Sequence, residues 1–135
     1  MTWDKKLSLG VSALGTAVVS LLGGFDMALQ TLLLFMAIDY VTGVMRAFYQ
    51  KEASSSVGMK GIFKKVMILC VVAVAVGIDR MTGAGNLVRM LVIFYYASME
   101  GISILENAAA MNLPIPDKLK EALVQLQEGN KKAGE

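Results

Sequence analysis

The sequence predicts an all-α integral membrane protein of about four transmembrane helices followed by a short C-terminal amphipathic helix. Long apolar stretches fill most of the chain between Leu7 and Leu105. Of the 135 residues, 56% are hydrophobic, above the roughly 45–50% usual in soluble domains, and the mean hydropathy is +0.58. A soluble fold of this size could not hide that many apolar runs in one core. The third observation is charge inside the runs. Asp39 sits within MALQTLLLFMAIDYVTGVM, Asp79-Arg80 closes VMILCVVAVAVGIDR, and Arg89 interrupts MTGAGNLVRMLVIFYYASM, which runs into Glu100. A charge at the centre of a membrane helix costs about 2.5–3.5 kcal/mol even on insertion scales, so such residues mark function or pairing.

A spanning helix needs about 20 apolar residues. The first candidate covers about 7–24; its charged N-terminal flank resembles a signal peptide, but the apolar run exceeds the usual h-region and a second one follows at once. The second covers about 27–46. The third, about 61–79, is long enough if Lys64 and Lys65 snorkel to the headgroups. The fourth, about 84–101, requires Arg89 to meet protein or water. Residues 1–106 thus form a transmembrane domain, and 107–135 a cytoplasmic amphipathic helix and tail. Pro114 and Pro116 separate the two, and Asp117 can cap the final helix. There Leu119, Ala122, Leu123 and Leu126 share one face. Gly129 is the expected stop, with NKKAGE as a disordered tail.

Orientation follows from the loops. The link at residues 23–26 has no Lys or Arg, whereas the loop between spans two and three carries Arg46, Lys51, Lys60, Lys64 and Lys65 against a single Glu52. Lys5 and Lys6 mark the N-terminus, and Lys118, Lys120, Lys131 and Lys132 the tail. The positive-inside rule makes all three basic regions cytoplasmic, which requires an even number of spans. The middle loop's basic residues serve as topogenic charge or as a binding surface for anionic headgroups.

Several classes of function are excluded. A net charge of +2 is too small for a nucleic-acid binder. Cys70 is the single cysteine, so no intrachain disulfide forms, and there is no histidine; no metal or other cofactor is expected. No nucleophile–base pair and no phosphate-cradling glycine spacing is present, so the chain does not read as an enzyme.

Within the spans, Ser12, Thr16, Ser20 and Gly24 recur every four residues, a stripe of small side chains that lets backbones approach closely in lipid. Gly43 and Gly77 add small positions on spans two and three. These residues serve internal packing or an oligomer seam. Asp39, Thr42, Asp79, Arg89, Tyr96 and Glu100 are the polar intramembrane candidates. Asp39 lies about 9–10 Å from the cytoplasmic end of its span at 1.5 Å per residue, which makes a direct Asp39–Arg89 pair stretched. By depth Arg89 belongs with Asp79 near the outer face, and Asp39 with Tyr96 and Glu100. Arg89, Tyr96 and Glu100 share a helix face. Such a face forms a static ion pair or lines water in one state.

The motif D-Y-V-T-G at 39–43, the basic serine-containing loop with GIFKK at 61–65, Asp79 closing a span, and FYYASMEGISILEN at 94–107 followed by LPIPDKLKEAL occur in that order. From about Leu34 to Leu126 this set resembles the phage holins of the toxin-secretion/phage-lysis family. The resemblance implies about three spans, against the four read from the residues. It implies a protein of the host bacterial cytoplasmic membrane that oligomerises with itself into lesions and releases endolysin, or toxin, at a timed point of lysis. It also admits an antiholin as partner. Two other readings of the residues stay open: a small four-span dimeric transporter or ion channel coupled through Asp39, and an antiholin or scaffold that regulates a sibling holin.

Overall fold

The computed structural model describes residues 2–133, with side chains described over 2–128. The described residues form five helices and no strand: α1 (Trp3–Leu21), α2 (Met27–Tyr49), α3 (Ser55–Thr82), α4 (Leu87–Ala110) and α5 (Asp117–Ala133). Local chemistry sets their ends. Asp26 caps α2 by accepting from the Leu29 N–H at 3.0 Å, and Ser54 caps α3 by accepting from Val57 N–H at 3.3 Å, each satisfying an orphan donor. Gly83, at φ +70°, closes α3 in the left-handed conformation that glycine adopts without steric cost.

α4 is the central helix. It packs against α2, α3 and α5, whereas α2 and α3 barely meet each other. Leu22, Leu29, Leu32, Met36, Ile68, Val72 and Ile93 form a small apolar core. Around it Leu34, Val41, Phe63, Val66 and Val74 are exposed, while Asp79, Arg89, Ser98, Glu100 and Asn107 are buried. Charged and polar groups inside with large apolar groups outside is the pattern a bilayer selects.

Three helices, α2, α3 and α4, are long and apolar enough to cross a membrane, where four spans were expected. α1 has 19 residues, of which Asp4, Lys5 and Lys6 occupy the first turn, so its apolar part is short. It buries no residue. The third and fourth segments run longer than expected. α3 begins at Ser55 rather than 61 because Ser54 supplies a cap. α4 continues to Ala110 rather than 101 because Asn107 finds buried partners and three alanines, strong helix formers, follow. α5 passes through Gly129 to Ala133, beyond the expected stop; Gly134 and Glu135 of the expected tail lie outside the described residues. Only antiparallel packing suits α5: Leu123, six residues into it, meets Gly101, nine residues back from the end of α4. A Cβ on Gly101 would approach Leu123 Cδ2 to 2.9 Å, so this glycine seats α5 on the bundle.

Candidate functional site

Two polar centres lie at opposite ends of the bundle. At the α1–α2 turn, Arg89 of α4 is 1% exposed, and every N–H of its guanidinium is directed at an acceptor. Nε donates to Leu22 O at 2.6 Å and Nη2 to Gly24 O at 3.0 Å. Nη1 and Nη2 grip Asp26 in a fork, at 2.7 Å to Oδ2 and 3.0 Å to Oδ1, while Nη1 also faces Met90 Sδ at 3.9 Å. The bidentate geometry is the strong form of the arginine–carboxylate pair. It holds the Asp26 carboxyl below its ordinary range, through the Arg89 hydrogen bonds first and against the desolvation by burial. Asp26 is 45% exposed and shares its charge with water; Arg89 does not.

Asp79 completes this centre differently from expectation. Its carboxylate lies near Arg89, but it accepts from the backbone N–H groups of Val88 and Arg89, both at 2.9 Å, instead of from the guanidinium. It thereby caps α4 from a neighbouring helix and places negative charge at the positive end of the dipole. The turn is tight enough to specify its residues. Gly23 has φ +86°, and a Cβ there would come within 2.5 Å of Arg89 Nε. Arg80 adds a tie from α3 to α1, donating from Nη2 to Ser20 O at 2.9 Å.

Toward the other end, Lys65 of α3 reaches between two carboxylates, 2.8 Å from Asp39 Oδ2 and 2.6 Å from Glu100 Oε2. Asn107 of α4 donates to Asp39 Oδ1 at 3.2 Å and to Thr42 Oγ1 at 3.0 Å, and its own oxygen accepts from Arg46 Nη1 at 3.5 Å. Two carboxyl groups share the one ammonium of the Asp39–Lys65–Glu100 trio. Among the described residues, every buried side-chain nitrogen or oxygen has a hydrogen-bond partner. The trio is not sealed, however. Asp39 and Lys65 line a cleft of about 780 Å³ between α2 and α3, together with Tyr40, Gly58 and Gly61, while Glu100 is buried. Tyr40 lies over the two glycines, its hydroxyl 3.3 Å from where a Gly58 Cβ would sit.

The sequence candidates therefore divide. Asp39, Thr42 and Glu100 come together in the second centre; Asp79 and Arg89 meet in the first; no Asp39–Arg89 pair forms. Tyr96 packs on the apolar core and stacks edge-to-face on Tyr95, with ring centroids 5.2 Å apart. Ser12, Thr16 and Ser20 are exposed on α1, with the Thr16 hydroxyl donating to Ser12 O at 2.9 Å. A Cβ at Gly77 or Gly24 would touch nothing, whereas Gly43 faces Asn107 at 3.8 Å. Lys51, Lys60 and Lys64 are exposed. Lys65, grouped with them as a headgroup lysine, departs from that expectation by turning inward, because two carboxylates await it there. Asp26 and Asn107 were not read from sequence as site residues. The signal for Asp26 was available: an aspartate three residues before Leu29 at a helix start, at the same depth as an arginine in need of a carboxylate.

The fold and these two centres define a class: an all-α, membrane-inserted helical protein with internal charge. Residues 16–128 match the bacteriophage holin family, and the chain belongs to that family, one of non-enzymatic, membrane-permeabilising proteins. The chain is 48% identical over 124 residues to an uncharacterized 14.9 kDa protein in the nagH 3' region of Clostridium perfringens, covering 91% of this chain and 92% of the other. An uncharacterized Listeria innocua protein, Lin0175, is 39% identical over 118 residues, covering 87% and 84%. A protein of Bacillus phage phi105 named probable holin is 30% identical over 102 residues, 76% of each chain. No solved structure matches the chain.

Proposed function

We propose that this protein is a holin that oligomerises in the cytoplasmic membrane of the host bacterium and opens lesions through which endolysin, or a toxin, leaves at a set time. The observation that carries this reading is the Asp39–Lys65–Glu100 trio, of which Asp39 and Lys65 line the α2–α3 cleft. A single chain in lipid would present this charged lining to acyl chains at a cost that assembly removes, either by covering it with another copy or by opening it to water. Pairing keeps the monomer insertable; the polar, open cleft favours the assembled state.

The reading takes α1 as a fourth crossing. Residues 7–22 cover about 24 Å at 1.5 Å per residue, short of the typical core of about 30 Å but within reach of local thinning. The polar Asp26–Arg89 turn then lies at the outer face and both termini in the cytoplasm, in agreement with the lysine-rich ends. With α1 buried nowhere in its own chain, its stripe of Ser12, Thr16 and Ser20 is free to meet other copies. An antiholin would act on the same surfaces.

Expression in a bacterium together with an endolysin tests the reading. A holin gives growth, then abrupt lysis that depends on the endolysin. Unchanged growth, or altered tolerance of particular solutes without lysis, would refute it and favour a transporter.

A further inference from the structure

We infer that the first two turns of α1 from a second copy of this chain lie in the α2–α3 cleft, with the Asp4 carboxylate of that copy meeting the Lys64 ammonium. The inference rests on the holin reading, with α1 as a crossing, and deepens it by naming the two surfaces through which copies join.

Both surfaces lack a partner in their own chain. α1 buries no residue, and among the described residues none of α1 lines the cleft. α2 and α3 barely meet. Gly43, Ala47, Gly58 and Gly61 line the gap between them, so another helix backbone can approach closely. The volume suits a helix segment. Two turns of a helix about 10 Å across fill about 850 Å³, against a cleft of about 780 Å³.

Level and charge choose the segment. α1 and α2 are joined by a short turn between Leu21 and Met27. Counting away from that turn, Asp4 on α1 stands level with Val44 on α2, and Ser8 with Tyr40; Val44 and Tyr40 both line the cleft. On α3 the Lys65–Asp39 contact sets the register, which puts Lys60 level with Val44 and Lys64 level with Tyr40. Copies inserted in one membrane in the same orientation share these levels. Asp4 of one copy then stands about one turn from Lys64 of the next, within the reach of a long side chain, and Lys60 adds a second cation. Asp4, Lys60 and Lys64 are all exposed, and among the described residues none of them forms an ion pair.

The lining also disfavours a lipid tail as the occupant. Asp39, Ser103 and Asn107 contribute polar groups to it, which an acyl chain has no means to hydrogen-bond. Ser8, on the same face of α1 as Asp4 and one turn later, brings a hydroxyl. Each copy gives one α1 and receives one, a head-to-tail contact that adds copies until a ring closes.

The test uses two full chains, both with Cys70→Ala, one carrying Ser8→Cys and the other Gly61→Cys. They are reconstituted together in phosphatidylcholine vesicles that hold an entrapped protein, and oxidised. A Cβ at Gly61 meets Tyr40 at an ordinary 3.6 Å, so the cysteine there fits the fold. The inference expects a disulfide between the two chains. It expects at least about threefold less of it when the first chain carries Asp4→Lys or the second Lys64→Glu, the scale of an exposed ion pair, and recovery when both changes are present. Absence of the disulfide overturns the inference, because copies then join elsewhere. With both cysteines on one chain, a disulfide formed only within single chains also overturns it, since α1 then closes over its own cleft. A loss on Lys64→Glu that the paired exchange does not recover overturns it in favour of a lipid phosphate at Lys64. The holin reading is scored separately: it fails if the Cys70→Ala chain with no other change releases no protein, and it stands if protein is released without the disulfide.

Discussion

Lys65 is the residue on which the inner centre depends. Its ammonium is 14% exposed and lies between Asp39 and Glu100, themselves 16% and 5% exposed. Lys65→Met would leave two partly buried carboxylates facing each other, and removing one partner of such a pair costs about 3 kcal/mol. Glu100→Gln keeps a hydrogen-bond acceptor for Lys65 and leaves Asp39 as its carboxylate partner, so its cost is expected below about 1 kcal/mol. Detergent-induced unfolding of the two variants checks the order; equal stabilities would remove the trio from the account. Lys65 was not legible as an inward-facing site residue for a physical reason. Any lysine near a span end can snorkel, and only the register of α3 against α2 and α4 decides that this one turns inward. At the outer centre the sign of the pH effect follows from Asp26. Its carboxyl is held below the ordinary range by Arg89, so its stabilising contribution is full above the unfolded-state value and is lost as the pH falls through the lower folded value. Thermal unfolding should therefore drop further in acid for the native chain than for Asp26→Asn, with Arg89 and Asp79 unchanged. Parallel pH profiles would contradict this.

At the scale of elements, periodicity and caps made most helices legible, while their ends depended on tertiary partners. Nothing in the segment 101–107 forbids a turn; it stays helical because Asn107 is buried against Asp39 and Thr42. The start of α4 shows the same dependence in a testable form. Asn86 makes no side-chain cap, and the two first-turn N–H groups are satisfied by Asp79 from α3. Asp79→Ala removes both acceptors at a partly buried helix end and is expected to cost about 2 kcal/mol, where an ordinary cap deletion costs about 1. Amide hydrogen exchange at Val88 and Arg89 reads the effect directly: exchange should quicken there and leave the middle of α4 unchanged. Uniform quickening along α4, or none, would count against a capping role. α1 is the element least determined by its own chain, because it buries nothing and is tied to the bundle through Arg80 and the Leu22–Asp26 turn. That is why apolar length alone gave four spans while length with charge gives three.

At the scale of the whole molecule, the protein is a small bundle with apolar groups outward, one charge cluster clamped by a turn, and another open to a cleft. The all-α membrane class was legible from composition because the bilayer reverses the usual placement of apolar groups. Depth grouped Arg89 with Asp79 and Asp39 with Glu100, but the direct partners, Asp26 for Arg89 and Lys65 for both Asp39 and Glu100, were not legible, since they depend on how three helices align. On the proposed function, a bundle of this kind is inserted as a monomer and becomes a hole only by assembly. Release of entrapped cargo from vesicles tests that claim most directly, with a folded protein and a small dye co-entrapped and the surface density of the chain varied. The account predicts that both cargoes leave together above a threshold density and that neither leaves below it. Release of dye alone, rising in proportion to density, would mean a narrow channel formed by a fixed small unit and would contradict it.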